Sequence, residues 1–108
     1  KARVLFIAAG DMSHVGPAFN GPPLSSPDKI QLEASDAKII DAMCTGDPDA
    51  FFDSVNNIQD MSNICGLAPI YLLLRILEPI RGTAIAYQQC PADQDHASVV
   101  SICGVVFE

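Results

Sequence analysis

Positive charge is scarce in this chain: six Lys and Arg stand against 13 Asp and Glu over 108 residues, giving a net charge of -7. A surface that neutralises phosphates by displacing counterions needs the opposite balance, so nucleic acid is not an expected partner. Basic amphipathic stretches are missing as well. No apolar run approaches the roughly 20 residues of a spanning helix, and together these absences argue against docking on or crossing a membrane. The opening residues lack signal-peptide form, because Lys1-Ala2-Arg3 leads into only about six apolar residues and then a polar loop without a cleavage-type ending. An initiator Met is absent, and the chain opens inside what reads as a strand. Residues 1–108 are therefore expected to be a single segment cut from a longer polypeptide.

Cys44, Cys65, Cys90 and Cys103 form neither a C-x-x-C pair nor zinc-finger spacing. With 49% hydrophobic and 18% charged residues, the chain has the composition of one globular domain that needs no disulfide staples. Reduced thiols and a cytoplasmic location are the expectation. Internal repeats and low-complexity segments are missing too.

What is there follows an α/β order. Ala2 to Ala9 is almost continuously apolar, as in a strand buried on both faces of a parallel sheet. Gly10 to Asp28 holds four of the eight prolines and is read as a long loop of the kind that often carries function. Leu32, Ile39, Ile40, Met43 and Cys44 then fall near one helical face, with Gly46 as a stop. Asp47 and Pro48 cap and open a second helix whose apolar positions are Phe51, Phe52, Val55 and Ile58. A third helix starts near Gly66, with Pro69 in its first turn, an all-round apolar run Ile70 to Leu77, and Pro79 limiting its end. Thr83 to Gln89 and Ser98 to Phe107 have strand character, joined by a polar loop. This order predicts an α/β fold with a central, mostly parallel or mixed sheet flanked by helices, an incomplete portion of a larger domain.

Asp11 and His14 stand directly after the carboxyl end of the first predicted strand, where open α/β sheets place ligand sites. An Asp can fix the tautomer of an imidazole and leave its other nitrogen free to bind metal or move a proton. In the competing reading Asp11 caps a turn and His14 bonds to the loop backbone. Cys65-Gly66 reads first as a structural turn into the third helix, with a reactive thiolate at the helix start as the alternative. Cys44 and Cys103 read as inert core thiols. Cys90 ends a strand and opens a polar loop, where its thiolate and the His14 imidazole would suit zinc, iron or copper. His96 is read as a solvated loop residue.

Taken in order, several elements resemble one family. They are V-L-F-I-A-A followed by Gly10-Asp11-Met12-Ser13-His14-Val15-Gly16-Pro17, then Gly46-Asp47-Pro48, Ile64-Cys65-Gly66-Leu67-Ala68-Pro69-Ile70, the Tyr87-Gln88-Gln89 strand and the Ser98-Val99-Val100 strand. Together they resemble the carboxyl-terminal part of the Memo family, called AmmeMemoRadiSam system protein B in microbes. The resemblance implies a fold like that of class III extradiol dioxygenases and a cleft where two histidines and a cysteine hold iron or copper. Asp11 and His14 match the family's D-x-x-H element beside that cleft. The two histidine ligands belong to an amino-terminal part that this chain lacks, and Cys90 falls where some members carry the cleft cysteine.

The functional expectation is a redox or dioxygenase-like cleft protein in which Asp11 orients His14, His14 acts as acid/base or secondary ligand, and Cys90 completes the shell of iron or copper. The alternative is a non-catalytic module that holds a peptide or small molecule. Association with the missing amino-terminal part, or self-association, is expected of the segment made alone.

Overall fold

The structure is a computed structural model that describes residues 3–57 and 62–108. A two-residue strand, β1 (His14–Val15), is followed by a 3-10 turn at Pro17–Phe19 and three helices, α1 (Ser26–Cys44), α2 (Pro48–Asn56) and α3 (Leu67–Leu77). Two longer strands, β2 (Gly82–Pro91) and β3 (Val99–Phe107), close the chain. The fold is α/β. Among the described residues, no helix is long and apolar enough to cross a membrane.

Local chemistry explains the helix bounds. Ser25 accepts from the Asp28 amide while Asp28 accepts from the Ser25 amide, a reciprocal capping box that opens α1 with Pro27 in its first turn. Gly46, at φ 77, ends that helix by turning left-handed, a conformation glycine adopts without penalty. The Asp47 side chain caps α2 through the Asp49 amide, and Pro48 occupies the first turn as the sequence predicts. Ile58, expected on the buried face of α2, lies outside the described residues, as does Ala2.

The three helices and the inner face of the sheet share one core. Met12, Ile39, Met43, Phe51, Val55, Ile64 and Leu74 are buried in it, with Tyr87, Cys103, Val105 and Phe107 packed against them from the sheet. Alternation along β3 is clean: Val99, Ser101, Cys103, Val105 and Phe107 face the helices, while Ile102 and Val106 face outward.

The sheet itself corrects the expectation of a mostly parallel or mixed arrangement. Its order is β1-β3-β2, and both pairings are antiparallel. The short connection from β2 to β3 can only return the chain antiparallel to itself, because a parallel return needs a crossover of a dozen or more residues. The predicted first strand is also absent from the described residues: 3–9 form no strand, and Val4, Leu5 and Ile7 are 70%, 82% and 78% exposed. A continuous apolar run signals two covered faces, but strand formation requires a hydrogen-bonded neighbour, which these residues do not have here. For the same reason α3, apolar all round, buries Ile70 and Leu74 and leaves Leu72 and Ile76 exposed.

Candidate metal centre

The segment from Gly10 to Gly16 is stitched to β3 rather than left as a free loop. The Met12 amide donates to the Ser101 carbonyl at 2.8 Å, and the Ser101 amide donates to the Ser13 carbonyl at 2.9 Å. His14 pairs with Val100 in the register of β1 and β3. This places Met12 and Ser13 in the interior and brings Asp11 and His14 to the rim.

The turn that leads into α3 closes over the same rim. Its Gly66 amide donates to the Asp11 carbonyl at 2.8 Å, and the Cys65 sulfur accepts from the Asp11 amide at 3.1 Å. The approach is close because Gly66 carries no side chain: a Cβ there would lie 2.9 Å from the Asp11 carbonyl oxygen.

One ligand atom from each of Asp11, His14 and Cys65 lies within 4.8 Å of the other two. Among the described residues this is the one group of three or more such side chains that converges. His14 is oriented by its Nδ1, which faces the carbonyl oxygens of Met12 at 3.3 Å and Asn63 at 3.1 Å. Carbonyl oxygens only accept, so Nδ1 carries a proton and Nε2 is the ring nitrogen turned toward Asp11. Nε2 stands 3.7 Å from Asp11 Oδ2. The Asn63 side chain returns a bond to the His14 carbonyl, and the Phe19 ring meets the imidazole edge to face at 5.2 Å.

The ring thus bonds to loop backbone, and the Asp11 carboxylate faces its other nitrogen. The acid does not hold the tautomer, since carbonyls do that on the far side of the ring. The Asp11 carboxylate and His14 Nε2 meet at 3.7 Å, and beside them the Cys65 sulfur accepts from the Asp11 amide and donates to the Asp11 carbonyl at 3.6 Å. Protein ligands of a metal bound at 2.0–2.3 Å are separated by about 3.3–3.8 Å, which the Nε2 to Oδ2 spacing matches. Nitrogen, oxygen and sulfur donors together suit zinc, iron or copper.

Cys90, the cysteine expected to complete the shell, is placed elsewhere. It pairs with Val100, which on its other side pairs with His14, so all of β3 lies between them and their backbones are about 10 Å apart. Cys65 takes the position beside Asp11 and His14, and it is exposed. Its sequence signal was the C-G dipeptide at a helix start, which is equally the signature of a turn. Cys44 and Cys103 face the core, where burial pushes both thiols above their ordinary range. An open apolar groove of about 480 Å³ is lined by Leu5, Phe6, Met43, Leu73, Val105 and Phe107 among others, and by Gly10 next to Asp11.

The model of the Memo-like protein family matches residues 1–106. The chain belongs to the Memo-like family. No curated protein matches it. In this Memo-like chain, the D-x-x-H element and the I-C-G element, far apart in sequence, meet at one rim.

Proposed function

We propose that this Memo-like protein binds a first-row transition metal ion through His14 Nε2, Cys65 Sγ and the Asp11 carboxylate, and that the site serves redox or dioxygenase-like chemistry on a small molecule. The observation that carries the reading is convergence: one ligand atom each of Asp11, His14 and Cys65 lies within 4.8 Å of the other two, with both carbonyls on His14 Nδ1 and Nε2 3.7 Å from the Asp11 carboxylate. Iron or copper, when bound, would supply electron transfer and polarise an oxygen ligand. The chain's own part is to hold the imidazole by its Nδ1, present a sulfur that already accepts a backbone hydrogen bond, and leave one flank open, since the Asp11 side chain is 49% exposed. Three protein ligands with an open position is the pattern of catalytic rather than structural metal sites. Four free cysteines suit a reducing compartment, consistent with the cytoplasm.

The test is metal analysis of the protein purified without chelator, followed by titration with cobalt(II) and a search for thiolate-to-cobalt absorption. One ion per chain, lost in both His14→Gln and Cys65→Ser, is the expected result. Absence of binding, or binding indifferent to both substitutions, would overturn it. A second reading, a non-catalytic module holding a peptide or small molecule, draws on the apolar groove, whose lining includes none of Asp11, His14 and Cys65. Metal binding without any oxygen-dependent turnover would favour that module. The apolar side chains left exposed on residues 4–7 and on α3 support association with another segment or a second copy.

A further inference from the structure

Asp36 is fully buried, on the stripe of α1 that otherwise carries Leu32, Ile39, Ile40 and Met43. An isolated carboxylate in such a place is strongly disfavoured unless its oxygens are satisfied. Among the described residues its hydrogen-bond partners are two hydroxyls and no cation. Ser13 Oγ donates to Oδ1 at 2.6 Å, and the Tyr87 hydroxyl donates to Oδ2 at 2.6 Å. Gln89 Nε2 in turn donates to the Tyr87 hydroxyl and to the Lys29 carbonyl, which ties the network to the sheet and to α1.

Ser13 lies with Met12 between Asp11 and His14, and it is itself fully buried. Its carbonyl accepts from the Ser101 amide, its amide donates to Ser101 Oγ at 2.9 Å, and its hydroxyl is held by Asp36. The first two bonds fix the segment to β3. The third pins the side chain facing away from the rim, and so sets the backbone from which Asp11 and His14 project to the other side. Stability alone gives no reason for a charge here, since an apolar side chain of similar volume would serve the stripe as well or better.

We infer that Asp36 is a positioning residue for the metal centre, acting through the Ser13 hydroxyl to set the Asp11 and His14 spacing. The inference rests on the metal-binding reading above. Hydrogen-bond partners that orient a ligand shell typically contribute 10- to 100-fold in metal affinity, and one acting through a neighbouring residue is expected near the lower bound.

The experiment measures cobalt(II) affinity and absorption for the wild type, Asp36→Asn, Ser13→Ala and a control, Ser54→Ala, whose hydroxyl bonds only within α2. Folding of each variant is checked by circular dichroism. Asp36→Asn keeps the shape but loses the double acceptor, and Ser13→Ala cuts only the link to the rim. Both are expected to weaken cobalt binding about tenfold and to shift the thiolate absorption, while Ser54→Ala leaves both unchanged. Wild-type affinity and spectrum in folded Asp36→Asn and Ser13→Ala, with binding still lost in Cys65→Ser, would overturn the positioning role and leave the metal site standing. Should Asp36→Asn fail to fold, Ser13→Ala decides on the same criteria. No cobalt binding by the wild type overturns both.

Discussion

Gly10 and Gly66 meet back to back: a Cβ on Gly10 would stand 2.6 Å from the Gly66 Cα, closer than real carbon contacts permit. These residues lie one on either side of the rim, beside Asp11 and Cys65, and their contact lets two distant segments share a site. Substituting either by Ala forces the segments apart. We expect Gly10→Ala and Gly66→Ala to cost about 1–3 kcal/mol of stability. Because the displaced atoms include the donor to the Asp11 carbonyl, cobalt affinity should fall at least tenfold in the folded fraction, measurable by titration after a denaturation curve has established folding. Unchanged affinity in folded Gly66→Ala would show that the close approach does not assemble the site.

The two cysteines nearest the rim separate cleanly by experiment. Cys65 shares the cluster with Asp11 and His14, while Cys90 stands across β3 from His14. Cys65→Ser is expected to abolish the thiolate-to-cobalt band, and Cys90→Ser to leave its position and intensity as in the wild type. The opposite pattern would assign the ligand to Cys90.

How much of this was legible in the sequence depends on the range of the interaction. Asp47-Pro48 and Gly46 act through their own neighbours, and they mark helix bounds correctly. The β2 and β3 pair is local enough to read from its strands and the polar loop between them. The strand predicted at Ala2 to Ala9 fails because apolar content does not supply a ladder partner. Cys65 was legible only as a turn, because what brings it to Asp11 is the contact of Gly10 with Gly66, which no periodicity encodes. Asp36 left a fainter trace: a carboxylate on the apolar stripe of α1, four residues after Leu32, is a buried polar position before any coordinates are seen.

Gly46 offers a contrast to the rim glycines. It has φ 77, and a Cβ there would fall 1.6 Å from the Ile80 carbonyl oxygen. Gly46→Ala should destabilise the fold by more than about 1 kcal/mol, from the strained conformation and the clash together. It lies outside the group of Asp11, His14 and Cys65, so the cobalt affinity of molecules that do fold should be unchanged. A shared loss of stability and affinity would mean that the α1 to α2 turn is coupled to the rim.

Tyr87 predicts a loss of stability in alkali. Burial, and then the Asp36 carboxylate that accepts its proton, push the Tyr87 phenol well above its ordinary value of 10. The folded state therefore keeps a proton that the unfolded state releases. Stability from this group is present in full below the unfolded value and is lost as pH rises beyond it. The partly buried Cys103 and Cys44 thiols, also raised by desolvation, act in the same direction starting from their ordinary value of 9. Urea unfolding should thus show a decline that begins near pH 9 and steepens above pH 10. Tyr87→Phe removes the steeper part, and at neutral pH it costs about 1–3 kcal/mol, because Asp36 Oδ2 loses its donor in the interior. A variant with the wild-type alkaline slope would show that the phenol is not the group that titrates.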